Sequence, residues 1–320
     1  MRRALCLTAV LVTALTTLAC SGDPEGPGPG DDPLPPPAEG EGYQVSMTTM
    51  APAGTEIWTC QISELPNQGW LDVGEVRSVQ SPGVHHMDIS TLIFTDIEFE
   101  AGVYDCNDVY RQYPQLMDDA MVLYAAQRAD QKIVLPAGTV AHLPPHLKVM
   151  HELHYVNGTE EDAEVFSKIN MYRTTVPATE SIWGGAVRDT NLTVPPGDSV
   201  EWTRCVMTDD VDVLFLSSHT HQLATSVEVR PFDGTATGDV LYTNTDWRSP
   251  ALETFAQPLH VAKGSGFEFS CNYRNPTAET VHWGFRAADE MCQIALVYTP
   301  GEATRKCEIV ETSDGVLPPR

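Results

Sequence analysis

Ten histidines are spread through this 320-residue chain, and three short stretches, with a methionine further on, gather those that could do chemistry together. The stretch "VHHM" at 84–87 sets His85 directly beside His86. Neighbouring side chains of a regular strand point to opposite faces, so these two imidazoles can share one object only if the backbone is bent there. "HTH" at 219–221 has the opposite property. Its i, i+2 spacing on a strand places His219 and His221 on one face, where both can converge on a single metal ion. "HELHY" at 151–155 adds His151 and His154, which strand alternation sends to opposite faces, so that one of them faces a site. "MC" at 291–292 reads, taken alone, as a core methionine beside a disulfide cysteine. His142, His146, His260 and His282 read as surface or structural residues.

The elements that must position these groups are strands. From about residue 43, runs such as "STLIFTDIEF", "KIVLPAGTVAHL", "SVEWTRCVM" and "CQIALVYTP" are rich in β-branched and aromatic residues and are separated by Gly, Pro, Asn and Asp turns. Many short strands at turn-limited spacing predict an all-β protein of β-sandwiches, and the length predicts two of them, over 43–178 and 179–320. One segment, "PQLMDDAMVLYAAQRA" at 114–129, is patterned as a helix. No repeat relates the two halves by eye.

Composition narrows the function classes. The 44 acidic residues against 19 Lys and Arg leave a net charge of -25, which provides no basic patch to neutralise phosphates and excludes nucleic acid as a partner. The first 20 residues, "MRRALCLTAVLVTALTTLAC", carry two arginines, a short apolar run and small residues ending at Cys20, the pattern of a secretory signal over 1–19. "LAC" before "SGD" is similar to a bacterial lipoprotein cleavage site, which predicts an exported protein of the cell envelope anchored to a membrane by lipid on Cys20. Residues 20–42, dominated by Pro, Gly and acids, then act as a tether that buries no core. Cys60, Cys106, Cys205, Cys271, Cys292 and Cys307 make an even number suited to an oxidising compartment. If each half is self-contained, Cys60 has one partner, Cys106, and three pairings remain open for the others. No CxxC spacing points to a structural zinc knot.

Taken in order, "VHHM" (84–87), "ELHY" (152–155), "HTHQL" (219–223) and "DEMC" (289–292) resemble the signatures of the copper type II ascorbate-dependent monooxygenases, and "IWTCQISELP" around Cys60 is similar to the opening of their catalytic core. The resemblance implies two jelly-roll-like β-sandwich domains with two copper ions facing each other across a cleft. It assigns His85, His86 and His154 to one copper, and His219, His221 and Met291 to a second, where oxygen is activated. A thioether is soft and favours Cu(I), whereas zinc takes it poorly, so Met291 suits the oxygen-binding copper and the all-histidine site suits electron storage. It also pairs Cys271 with Cys292 and Cys205 with Cys307, and leaves the partners of Cys60 and Cys106 open.

The implied reaction is hydroxylation of a C–H bond of a small organic substrate with O2 and a one-electron reductant such as ascorbate. The peptide-hydroxylating branch has an arginine two residues before the HxH pair and an Asn and a Tyr after "DEMC", whereas this chain has Ser217, Gln293 and Ala295, which argues against a peptidylglycine substrate. Two other readings use the same residues: a copper-binding lipoprotein that stores or delivers the metal without turnover, and a structural β-sandwich in which the motifs are relics.

Overall fold

The structure is a computed structural model, and it describes residues 32–92, 97–116, 121–301 and 306–316. The signal segment 1–19, the lipidation site Cys20 and most of the tether lie outside the described residues. Pro36–Arg320 is a compact unit.

The body is built almost entirely of strands, as predicted. In its first half these are β1 Gly42–Ala51, β2 Glu56–Glu64, β3 Leu71–Gln80, β4 Val84–Thr91, β5 Gly102–Asp105, the helix α1 Cys106–Gln112, β6 Met121–Ala126, β7 Asp130–Val134, β8 Thr139–Leu143, β9 Lys148–Val156, β10 Ala163–Arg173 and β11 Glu180–Ser181. In the second half they are β12 Trp183–Arg188, β13 Thr193–Val194, β14 Gly197–Met207, β15 Val211–Thr220, β16 Ala224–Phe232, β17 Tyr242–Asn244, β18 Glu253–Val261, β19 Gly266–Asn275, β20 Val281–His282, β21 Cys292–Thr299, β22 Cys307–Thr312 and β23 Gly315–Val316. One sheet runs β1-β10-β3-β8-β11, with β7 also on β3, and a second runs β5-β2-β9-β4-β6. The later strands form β12-β21-β15-β18, β17-β16-β19-β14-β22-β23 and the small pair β13-β20. Among the described residues no strand pairing crosses from one set to the other, and the change of sheet falls at Ile182.

Each half buries a core between two sheets. In the first, Val73 and Leu143 from one sheet meet Met87, Ile89 and Val149 from the other. In the second, Cys205, Val229, Phe267 and Phe269 meet Val213, Ile294 and Leu296. The alternation that produces this is visible in β2, whose Trp58, Cys60 and Ile62 are buried at every second position. Those three side chains face away from the first core and are covered by α1 and the chain around it, with Val109, Phe99 and Leu116.

The helix expected over 114–129 is a correction. Residues 121–126 form β6, which pairs with β4 from Met87↔Ala126 to Thr91↔Met121. Tyr124 and Ala126 enter the core at period two, so partnership with a distant strand overrides the local helical preference. The helix forms earlier, where the Asp105 carboxylate accepts the Asn107 N–H as an N-cap and the Cys106–Cys60 disulfide ties its first turn to β2.

The disulfides are Cys60–Cys106, Cys205–Cys307 and Cys271–Cys292, the last two as the resemblance implies. One likeness between the halves escapes a reading by eye. In "NGTEE", Asn157 Nδ2 donates to Ala51 O and Glu161 O, and its Oδ1 accepts from Thr159 N and Oγ1. In "NPTAE", Asn275 Nδ2 donates to Val194 O and Glu279 O, and its Oδ1 accepts from Thr277 N and Oγ1. The same corner closes the end of β9 and of β19. It also uses both ends of the Asn157 amide, so the sequon "NGT" marks a buried structural residue.

Candidate metal centre

The question posed by adjacent His85 and His86 is answered by a β-bulge. Along β4 and β9 the register runs Val84↔Tyr155 and then His86↔His154, so two steps on β4 oppose one on β9 and His85 is the extra residue. Val84 and Met87 therefore both turn inward, to 6% and 0% exposure, while both histidines are left for the outer face. The bulge follows a tight turn in which Val84 N–H donates to Ser81 O and Gly83 has φ +86, a left-handed conformation that glycine adopts without strain. A Cβ at Gly83 would stand 3.3 Å from the Tyr155 ring.

On the same outer face His86 lies directly opposite His154, and Asp88 opposite Glu152. His151 points inward, as alternation predicts: it is fully buried and shares a 2.7 Å hydrogen bond with Ser167 Oγ. Across the body, β15 ends at Thr220 and delivers His219 and His221 to one side, their ring centroids 5.3 Å apart.

Five of the expected residues meet in one cluster. The His85 ring lies 5.1 Å from His86 and 5.2 Å from His154, but also 5.2 Å from His219 and 5.0 Å from His221. Two sets of three ring nitrogens therefore lie within 4.8 Å of one another, His85/His86/His154 and His85/His219/His221. The implied cleft is closed at this point. Met291, 3% exposed, lines a neighbouring cavity of about 240 Å³ together with His86 and His219.

The groups that hold these rings in place were not evident from the sequence. His219 Nδ1 is 3.0 Å from Gln127 Oε1, which fixes an Nδ1–H donor and turns Nε2 inward. His221 Nδ1 donates to Asp289 O at 2.9 Å. Asp88 Oδ2 lies 2.8 Å from His86 Nδ1, and Glu56 Oε1 lies 2.7 Å from His154 Nε2. His154 Nδ1 and His86 Nε2 are 3.3 Å apart. The fully buried Glu290 carboxylate accepts the N–H of Met291 and of His221 on Oε2, and that of Leu223 on Oε1, and so fastens the "HTHQL" turn to the "DEMC" loop. Cys292, in the next position, is locked to Cys271 on β19.

Electrostatics favour neutral imidazoles, the form that binds metals. Burial, then the neighbouring rings, holds His85 and His219 far below the usual histidine range. Burial lowers His221 to about 4 against the opposing pull of the Asp289 carbonyl, and lowers His154 despite Glu56. His86 is the exception: burial lowers it, but Asp88 outweighs burial and raises it. Glu152, buried against Asp88, is pushed up to about 7 although Tyr110 OH and Trp58 Nε1 donate to it at 2.7 and 3.0 Å. The remaining exposed histidines behave as surface residues: His142 stacks on Trp70 beside Asp72, His146 pairs with Glu64, and His260 with Asp212.

Whether copper fits can be judged from the donors themselves. The Nε2 atoms of His85 and His221 are buried without a hydrogen-bond partner among the described residues. A buried polar atom left unpaired is costly, and a bound metal ion would satisfy both. Imidazole nitrogen with a nearby thioether is a donor set suited to copper.

No curated protein matches the chain. Among solved structures, the major capsid protein P2 from bacteriophage PM2 is similar over 85% of this chain and 100% of its own, at 10% identity and a TM-score of 0.32. Residues 186–314, which include His219, His221 and Met291, match the family described as copper type II ascorbate-dependent monooxygenase, C-terminal domain. The matched segment runs from β12 to the β22–β23 turn and so falls on the second half of this body, which is similar to that C-terminal domain.

Proposed function

We propose that the protein is a copper-dependent monooxygenase that hydroxylates a C–H bond of a small, largely apolar organic molecule, using O2 and a one-electron reductant such as ascorbate. The observation that carries this reading is the cavity of about 240 Å³, which has His86, His219 and Met291 in its wall and is otherwise lined mainly by apolar side chains of both halves, among them Val122, Leu123, Phe215 and Leu296. Such a pocket beside metal-binding side chains is where a small substrate would be held and kept from water.

Copper at His219, His221 and Met291 would supply oxygen activation, and copper at His85, His86 and His154 the second electron. The chain's own contribution is orientation. Gln127 and the Asp289 carbonyl select the tautomers of His219 and His221, Glu290 holds the backbone of His221 and Met291 in one unit, and Asp88 and Glu56 do the same for His86 and His154. We further propose that the protein is exported and lipid-anchored through Cys20, a reading supported by its three disulfides and acidic surface.

The test is metal analysis of the purified protein with ascorbate-driven oxygen uptake in a screen of small apolar substrates. Two coppers per chain and substrate-dependent uptake that Met291→Ala abolishes would support the reading. Full activity in that variant, or copper binding without any turnover, would replace it with storage or delivery.

A further inference from the structure

The cavity beside the metal centre extends beyond the gap between the two halves. β6 lines it without a break from Val122 to Ala126. Consecutive residues of a strand face opposite sides, so a cavity lined by an unbroken run must pass around that strand. β6 is the last strand of its sheet, which leaves an edge to pass around. We infer that this passage leads an unbranched aliphatic chain into the sandwich of the first half, and that the substrate is a molecule with such a tail. The inference rests on the reading of the cavity as the substrate site and adds the class of molecule it takes.

The far wall is the inner face of the other sheet. Val76 on β3 stands directly opposite Ile133 on β7, and Val73 opposite Ala141 on β8; directly opposed residues share a face, and all four line the cavity. Val73 belongs to the first core, while Val76, Ile133 and Ala141 pack against it and stay only partly buried, as does Leu123. Leu123 is itself displaced by a bulge. β4 and β6 pair Ile89↔Tyr124 and then Ser90↔Val122, which makes Leu123 the extra residue at the edge. Beyond that edge the second half forms a wall of the same space. A Cβ at Gly184 would stand 2.7 Å from Val122 O, and Ile182, whose N–H donates to Val140 O at 2.8 Å, lines the cavity at the change of sheets.

The polar groups in this part of the wall are used by one another. Tyr124 OH pairs with Ser78 Oγ at 2.8 Å, and Gln131 Nε2 donates to Ala125 O at 3.0 Å. A ligand here is held by the burial of hydrocarbon. The path selects among hydrocarbons: it leaves the gap between the halves and turns around one strand, which suits a flexible, unbranched chain and not a rigid or branched body. The head of the molecule then lies in the gap, where His86 and His219 stand in the wall.

The experiment uses the full, unmodified chain and straight-chain primary alcohols from butanol to decanol, with binding read by calorimetry. Each added methylene should tighten binding by about fourfold until the lobe is full, the factor that burial of one such group contributes. Highly branched alcohols of the same carbon number should bind as weakly as butanol. A photoreactive alcohol with a diazirine at the end of a long chain should label residues within 73–76 or 133–141. Ala141→Phe, which fills the lobe, should abolish the gain from longer chains and leave butanol unchanged; the labelling, done on the unmodified chain, decides the matter if that variant does not fold. Affinity that is flat along the series, equal binding of branched isomers, or label confined to 215–219 and 293–297 would overturn the inference. None of these readings needs turnover. Length-dependent binding without oxygen uptake would uphold the tail site and remove the oxygenase, whereas ascorbate-driven turnover with a flat series would remove the tail site alone.

Discussion

His154 and Ala287 share a single carboxylate oxygen: Glu56 Oε1 lies 2.7 Å from His154 Nε2 and accepts the Ala287 N–H at 2.7 Å. One acidic group on β2 therefore orients a histidine of the first half and pins the loop of the second half that leads to Met291. Glu56→Ala should free that loop. A hydrogen bond to a charged group contributes about 1.5–3 kcal/mol, so denaturant unfolding should show a loss in that range. Hydrogen exchange should accelerate at 285–291, and unchanged exchange there would show that the halves are joined by other contacts.

Gln127 predicts an effect on metal affinity. Its Oε1 is the acceptor for His219 Nδ1, and replacing it by Ala should let the ring rotate and choose either tautomer. Metal affinity measured by competition with a chelator should fall by about 10–100-fold, the range typical of outer-shell partners. An equal loss in a variant of the exposed His142 would show that the effect is not specific.

The metal-free protein should lose stability in acid through its buried histidines. His151 is pushed down to about 4 by burial, against an ordinary value of 6.5. The folded pKa lies below the unfolded one, so the unfolded chain takes up the proton first as pH falls. The contribution is fully present above pH 6.5 and is lost between there and about 4, on the order of 3 kcal/mol for this one group. His85, His154, His219 and His221 are lowered as well and act in the same direction. Chemical denaturation from pH 7.5 to 4.5 should show the decline, and His151→Gln should make it shallower.

The Cys271–Cys292 disulfide anchors the residue after Met291 to β19. The double variant Cys271→Ser with Cys292→Ser should lose about 2–4 kcal/mol of stability. It should also weaken copper binding, because the "DEMC" loop would lose one of the anchors beside Met291. Unfolding and metal titration on the same preparation separate the two effects, and intact affinity would assign the bridge a purely structural role.

The sequence by itself determined the class of the fold and the stretches from which the site is made. Period-two patterning and turn residues are local properties, and so are the spacings in "VHHM" and "HTHQL" that put imidazoles side by side or on one face. It showed that His85 and His86 require a distorted strand. The tertiary structure decided how that distortion is made, since a bulge is a mismatch between two strands, here β4 and β9, and cannot be seen in either alone. The partners of the rings were hidden for the same reason: Gln127 stands 92 residues from His219, and Glu56 98 residues from His154. Gln127 follows a segment whose helical pattern gave way to strand pairing, so the misread element and the missed residue have one cause. Long-range pairing set the conformation of 121–126, brought Gln127 to His219, and let His85 meet histidines of the other half. None of these contacts has a signature at short range, because each depends on where two distant pieces of chain are packed.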